Sequence, residues 1–145
     1  MSGHNVDLTV ATVPIQSASV TIPTAAGSTD AYVIAPTTGT LSSAVFSGVD
    51  ALATSNSNYV TFLVTNLGQA GAGTAEMLAG TAVNTTKTTG GSALSANTAR
   101  TLTLTSTTAD LVVTAGDTIR VRYTGTGTLA NTVTFSKTLL LFTRS

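Results

Sequence analysis

The chain is short, almost uncharged and free of cysteine. Its 145 residues provide for one domain with a core, and the lack of cysteine excludes disulfide frameworks, thiolate metal sites and cysteine nucleophiles. Six basic and six acidic residues balance to zero, so the chain has no overall attraction to nucleic acid, and its single histidine, His4, excludes a histidine cluster for a metal.

The chain opens with an arm and then a strand pattern. Residues 1–6 hold too little apolar surface to fold onto a domain, so we expect an N-terminal arm followed by one domain over residues 7–145. Residues 7–13 alternate between apolar and polar side chains, which predicts a β-strand. Pro14 is expected to end that strand, because proline cannot donate to a strand ladder.

Four further strand patterns follow in the first half. Pro23 ends the first of them, and Pro36 and Gly39 occupy the positions that a four-residue turn favours. The predicted strands cover residues 17–22, 30–35, 41–49 and 58–65.

The second half begins with loops and returns to strands. Residues 68–73 combine glycine with alanine and glutamine and predict a flexible loop, and residues 85–91, rich in threonine and glycine, predict a second one. Residues 74–79 fit either a helical turn or a short strand. Leu102 and Leu104 are expected to point inward. The predicted strands cover residues 100–105, 111–114, 117–124 and 131–143, with a bulge or burial on both faces near Lys137.

Together these patterns predict an all-β protein. Eight or nine short strands without alternating helices favour an antiparallel two-sheet β-sandwich, jelly-roll-like in topology.

The surface of such a sandwich would be unusually apolar. Charged residues are 8% of the chain and the mean hydropathy is +0.36, so we expect a hydroxyl-rich surface that is partly hidden in a homo-oligomer. The run of four large apolar residues at 139–142 is too short for a membrane span, and the first twenty residues lack the pattern of a secretion signal.

Charge is divided unequally along the chain. Residues 1–76 carry four acids and no base, whereas residues 77–145 carry six bases and two acids, which gives net charges of −4 and +4. Two explanations are open: strands of the two halves interleave and their charges face water, or subunits make a contact between opposite charges.

Motifs for catalysis are weak. Ser2, His4 and Asp7 lie on one short arm, which cannot hold the geometry of a catalytic triad. Residues 125–130 match the spacing of a dinucleotide-binding loop, but a strand pattern follows them where a helix is required, so we interpret them as a hairpin connection. Six dispersed acids do not favour a glycosidase pair, and the Asn84 glycosylation sequon lacks a secretory context.

Two arginines are the best candidates for a binding role. Arg120 and Arg122 project from the face opposite Ile119 and Val121, where they could clamp a carboxylate or phosphate, although solvation or pairing with Asp117 is the simpler expectation. Each tyrosine and phenylalanine falls within a strand pattern, so packing in the core is expected for all of them. His4, Arg120 and Arg122 are the candidate contact residues.

Four segments resemble the head decoration, or cement, proteins of tailed bacteriophages. In such proteins a strand leads through Ala-Pro-x-x-Gly into the next, and an Ala-Gly-Asp turn opens a late strand. The segments that carry the resemblance are residues 31–41, 58–66, 88–97 and 111–122.

The resemblance implies a virion structural protein rather than an enzyme. It implies a trimeric jelly roll that clamps the major capsid protein on the outside of the shell, with no cofactor, no catalytic residue and no nucleic-acid or membrane partner. The alternatives are a phage tail or receptor-binding module or an adhesin domain and, more distantly, a carbohydrate-binding module.

Overall fold

The computed structural model describes residues 11–145, except for the side chain of Phe135, and folds them into two antiparallel β-sheets. Within this range there are ten strands and one short 3-10 helix, Thr108–Leu111. The strands are β1 (Thr12–Gln16), β2 (Val20–Ile22), β3 (Gly27–Ile34), β4 (Gly39–Ser47), β5 (Tyr59–Gly68), β6 (Ala75–Glu76), β7 (Arg100–Thr101), β8 (Val112–Val113), β9 (Thr118–Thr126) and β10 (Val133–Arg144). The predicted all-β sandwich is confirmed, and β6 shows that the undecided segment 74–79 is extended.

The strands interleave in the order of a jelly roll. The six-stranded sheet has the order β1-β10-β4-β7, with β2 also against β10 and β8 also against β4. The four-stranded sheet has the order β3-β9-β5-β6. Each sheet therefore combines strands from both halves of the chain, as two Greek keys wrapped around one core require.

An aromatic cluster joins the two sheets. Phe46 of β4 lies 4.7 Å from Phe62 of β5 and 5.7 Å from Tyr123 of β9, measured between ring centroids. All three rings are buried, and the Tyr123 hydroxyl shares a 2.8 Å hydrogen bond with Thr138 Oγ1 of β10. Burial raises the pKa of Tyr123, so this polar link between the sheets stays neutral at physiological pH.

The expectation that Pro14 ends the first strand is wrong. Pro14 lies inside β1, at the edge of the six-stranded sheet. The carbonyl of Ala11 and the N–H of Ser17 bond to β10, so the alternation of a strand turns the nitrogen of Pro14 toward the open edge. No ladder hydrogen bond is lost there. Residues 7–10 of the predicted strand lie outside the described part of the chain.

The interpretation of residues 125–130 as a hairpin connection is also wrong. This segment leads from β9 in one sheet to β10 in the other, so the strands that it joins are not paired. Leu129 is buried, and its N–H donates to the carbonyl of Thr24 at 2.9 Å, which anchors the crossing. Because a strand follows, the argument against a dinucleotide loop stands.

Two finer predictions hold. Leu102 is buried and Leu104 packs against the core, as predicted. β7 itself is only two residues long, because the chain leaves β4 after Leu102 and forms its next backbone hydrogen bonds with residues 77 and 79. The register of β10 shifts between Val133 and Ser136, close to the predicted bulge at Lys137.

Candidate interaction surface

The outer face of the four-stranded sheet carries both arginines proposed as contacts. Ile119 and Val121 of β9 are buried, so Arg120 and Arg122 project from the opposite face, as the sequence predicts. The cross-strand register places each arginine in a row of side chains on this face. One row holds Tyr32, Arg120, Thr65 and Glu76, and the next holds Asp30, Arg122 and Leu63.

Arg122 is engaged by an acid of the same chain. Its Nε and Nη2 donate to Oδ1 and Oδ2 of Asp30, both at 2.7 Å, in the two-pronged geometry that suits guanidinium and carboxylate. The hydrogen bonds from Arg122 lower the pKa of Asp30, and the same bonds raise the pKa of Arg122. The expectation that Arg122 is solvated or paired with Asp117 is therefore wrong.

Arg120 is held through a threonine. Its Nη2 donates to Thr65 Oγ1 at 3.2 Å, and that hydroxyl donates to Glu76 Oε1 at 2.8 Å. These two long side chains cover Thr65, which is only 2% exposed although it lies on the outer face. The guanidinium fork of Arg122 is thus occupied by Asp30, whereas Arg120 makes one hydrogen bond through Nη2 and its buried Nε has no partner within residues 11–145.

Asp117 has a structural role instead. Its Oδ2 accepts hydrogen bonds from the N–H of Thr114 at 2.9 Å and from Nδ2 of Asn66 at 3.0 Å. These bonds stabilise the turn before β9, in which Gly116 has a φ of 94°, a left-handed value that favours glycine.

The two turns that carry the family resemblance meet at this end of the sandwich. The N–H of Ala35 donates to the carbonyl of Asp117 at 2.8 Å, and the N–H of Gly116 donates to the carbonyl of Ala35 at 3.0 Å. Gly39 must lack a side chain, because a Cβ there would lie 2.0 Å from the carbonyl oxygen of Thr143. Both motifs thus have structural reasons for their glycines.

Two large apolar side chains are exposed beside the arginines. Tyr32 and Ile34 of β3 are 55% and 54% exposed on the outer face, whereas Ala31 and Val33 are buried on the inner face. The expectation of core packing is wrong for Tyr32, because only the inner face of this sheet is covered by the other sheet. The sequence signal was the unbroken apolar run 31–34, where a half-buried strand should alternate.

The backbone of β3 is also unpaired on one side in the described range. The N–H of Ala35 points to β9, and bonding direction alternates along a strand. The backbone groups of Ser28, Asp30, Tyr32 and Ile34 therefore face away from β9. No other strand of residues 11–145 pairs with them.

The opposite edge of the same sheet is covered. β6 pairs with the end of β5, and residues 84–86 pair with its beginning. The N–H of Thr86 donates to the carbonyl of Val60 at 2.8 Å, Thr86 Oγ1 accepts from the N–H of Val60 at 2.8 Å, and the N–H of Phe62 donates to the carbonyl of Asn84 at 2.9 Å.

Asn84 fastens this cover to the rest of the domain. Its side chain is inaccessible at 1% exposure, and its Nδ2 donates to the carbonyls of Ala79 and Thr103, the latter at 2.9 Å. Its Oδ1 accepts from the N–H of Thr103 at 2.7 Å. In the folded protein the sequon asparagine is therefore closed to glycosylation.

Arg100 strengthens the same side. Its guanidinium lies over the Phe62 ring, with Cζ 5.5 Å from the ring centroid. Nη1 donates to the carbonyl of Ser92 at 2.9 Å and Nη2 to the carbonyl of Val83 at 3.2 Å. Burial lowers the pKa of Arg100, although the group stays charged at physiological pH.

Chemistry-bearing side chains are scattered in the part of the chain that the structure describes. Residues 11–145 contain no group of three or more His, Cys, Asp or Glu side chains that could hold a metal ion. Among them, no helix has the length and apolarity to cross a membrane. A shallow depression of about 370 Å³ has no acid in its lining, which consists of Gln16, Ser47, Gly48, Val49, Asn97 and Lys137. His4, the third candidate contact residue, lies outside this range.

The division of charge between the halves has a partly internal explanation. β3 and β9 come from different halves and are neighbours, which joins Asp30 to Arg122. For this pair, interleaved strands account for the opposite charges without a second subunit.

Comparison with known proteins leaves the family open. No protein-family model and no curated protein matches the chain. A solved structure with some similarity is that of infectious bursal disease virus Gx strain, which is 11% identical, with a TM-score of 0.42 over 92% of this chain and 33% of that chain. This chain thus spans a third of the viral chain, and a likeness this distant says nothing about function.

Proposed function

We propose that this chain is a non-enzymatic structural protein of a bacteriophage virion, which binds the outside of the capsid and stabilises the shell. Its partners in this proposal are the major capsid protein and further copies of itself, with a trimer as the implied assembly. The proposal needs no cofactor, nucleic acid or membrane.

The observation that carries the proposal is the junction of the two resemblance motifs. The Ala-Pro-x-x-Gly turn and the Ala-Gly-Asp turn are bonded to each other through Ala35, Gly116 and Asp117. Segments that look separate in the sequence therefore form one unit of a jelly roll, which supports the resemblance to head decoration proteins as a match of architecture. Function is an inference from that likeness, since one fold serves many roles.

The surface suits a protein that works by contact. A shell-binding protein gains stability from apolar burial and backbone pairing at its interfaces. β3 offers both, in the exposed side chains of Tyr32 and Ile34 and in the backbone groups that no other strand of residues 11–145 pairs. The charges of Asp30 and Arg122 beside them are already paired with each other, so docking on this face would not separate those two charges from their partners.

The candidate contact residues remain predictions, but the proposed role of the two arginines is now to line an interface rather than to clamp an anionic ligand. Arg120 and Arg122 lie on the outer face beside Tyr32, so they would line an interface there while keeping their partners within the chain. His4 belongs to the N-terminal arm that we expect to dock on a neighbour.

Particle composition tests the proposal. Mass spectrometry and cryo-imaging of purified particles from the source are expected to find this chain in many copies on the outside of the head. A few copies at a tail tip would overturn the proposal in favour of a tail or receptor-binding module.

One observation favours a second candidate, a sugar-binding module. The exposed ring of Tyr32 lies next to the Asp30 carboxylate, and aromatic platforms beside polar groups are typical of sugar sites. Binding of the isolated chain to a glycan array, lost in Tyr32→Ala, would decide for this candidate.

A further inference from the structure

We propose that the open edge of β3 accepts a strand formed by residues 6–10 of a second copy of this chain. The inference deepens the self-association within the proposed function, but it does not require a capsid. It rests on the backbone of β3, on the apolar pattern of residues 6–10, and on the place where β1 begins.

The edge of β3 is a template for strand addition. It is eight residues long, contains no proline or lysine, and directs the backbone groups of its even-numbered residues away from β9. The nearby edge of β1 differs, because Pro14 removes a donor from it. A long unguarded edge of this kind binds extended segments by main-chain hydrogen bonds.

The side chains of the edge specify what the added strand must carry. The inner face of β3 is already buried at Ala31 and Val33, and the apolar surface that stays exposed is on the outer face, at Tyr32 and Ile34. An added strand with apolar side chains on that outer face would cover it. Aromatic and β-branched residues facing each other across strands are favourable pairs.

Residues 6–10 have this pattern. Val6, Leu8 and Val10 alternate with Asp7 and Thr9, so an extended segment places the three apolar side chains on one face. With that face outward, they would lie beside Tyr32 and Ile34.

The start of β1 favours a neighbouring copy over the same chain. β1 and β3 lie on the same side of the sandwich, since β2 contacts β3, and β1 begins at the end where β3 terminates. For residues 6–10 to reach the β3 of their own chain, the chain would have to reverse just before β1. Residues 10–12 are Val-Ala-Thr, without any of the residues that favour turns.

Such an exchange is compatible with a closed ring. A donor segment and an acceptor edge are different surfaces, so the contact is head-to-tail and generates a ring when the rotation closes. A trimer is the smallest such ring above a dimer, which agrees with the proposed assembly.

Disulfide trapping tests the inference, because the natural chain has no cysteine. Leu8→Cys protein carrying a size tag is mixed with untagged Tyr32→Cys protein and oxidised, and Leu8→Cys is paired with Ile34→Cys to allow for a shift of two residues in register. The matched control pairs Leu8→Cys with Val112→Cys, since Val112 is 54% exposed on β8 of the other sheet.

We expect one of the two β3 pairs to give linked tagged and untagged chains at about ten times the control yield or more, because a disulfide needs Cβ atoms roughly 4 Å apart. Equal yields in the control would overturn the inference. In a variant that carries both cysteines, a disulfide formed only within one chain would also overturn the inference. A link from a β3 cysteine to shell protein on particles would overturn it as well.

Sedimentation distinguishes a failure of strand exchange from a failure of self-association. If the protein sediments as an oligomer but neither β3 pair is linked, strand exchange is wrong and self-association stands. If the protein is a monomer at high concentration, strand exchange and self-association are both wrong.

Discussion

The two edges of the four-stranded sheet are finished in opposite ways. On the β5 side, β6 and residues 84–86 take up the strand's backbone groups, and Asn84 and Arg100 hold that cover in place. On the β3 side, the described structure ends in an unpaired strand with two exposed apolar side chains, Tyr32 and Ile34.

The two edges differ in whether buried polar side chains complete the sheet. The covered edge uses buried threonine and asparagine side chains to complete a sheet, which makes it part of the folded core. The open edge is paired with no other strand of residues 11–145, so its exposed side chains and outward backbone groups should add little to the stability of the fold and are suited to an interface. Substitutions on the first side should therefore change stability, and substitutions on the second should change association.

Removing the amide of Asn84 should have the largest effect. Asn84→Ala leaves the carbonyl of Ala79 and the N–H of Thr103 without their side-chain partner, and takes from the carbonyl of Thr103 one of its two donors, the other being the N–H of Ala79. The side chain that is removed is only 1% exposed. We expect a loss of about 2–4 kcal/mol in the free energy of unfolding, measured by chemical denaturation. Asn56→Ala is the control, because Asn56 is exposed and accepts bonds only from Thr89; a loss as large in that variant would contradict the role of burial.

Arg100→Leu should cost less. It removes the donors to the carbonyls of Ser92 and Val83 and the charge over Phe62 but retains apolar volume. We expect a loss of about 1–2 kcal/mol in the free energy of unfolding, with faster amide exchange in residues 83–92. The control is Lys87→Leu, whose charge also lies over a ring, that of Tyr59, but holds no carbonyl. Equal losses in both would assign the effect to charge alone.

On the open side, Asp30→Asn should weaken the domain by about 1 kcal/mol at neutral pH, since the pair that it breaks is partly exposed. Arg122 holds the pKa of Asp30 below its usual 3.8, so the pair stabilises the fold above that pH and its contribution is lost as the pH falls through the lowered value. The difference in unfolding free energy between the wild type and Asp30→Asn should therefore close below about pH 3.8. A difference that persists at lower pH would point to packing.

Charges placed on the β3 edge should have the smallest effect on stability. Tyr32→Lys combined with Ile34→Lys should change the free energy of unfolding by only about 0.5 kcal/mol, because both side chains are exposed. The same variant should reduce self-association measured by sedimentation, since edge lysines disfavour strand pairing. Val83→Lys with Val112→Lys is the matched control at exposed positions elsewhere. Equal association in both variants would remove β3 from the interface.

Local patterns account for much of the fold. The alternation around Leu102, Ile119 and Val121 predicted which side chains face the core, and glycine and aspartate marked the turn that opens β9. These features depend on neighbours within a few residues, which the sequence displays directly. The same reasoning placed Arg120 and Arg122 together on one outer face.

The partners of these residues depend on pairing over long distances. Asp30 and Arg122 are 92 residues apart and meet because β3 lies beside β9, which no local pattern specifies. Pro14 fits within β1 because that strand is at an edge, and residues 125–130 cross between sheets because β9 and β10 belong to different layers.

The sequence by itself determined the all-β class, the inward phase of most strands and the charge-poor, hydroxyl-rich character of the chain, because strand alternation and turn chemistry are local. Only the tertiary structure decided which strand ends each sheet, and hence that Tyr32 and Ile34 are exposed while Thr65 and Asn84 are buried. A side chain on the second face of a strand is buried or exposed according to what packs over it, and that cover comes from residues far away in the chain.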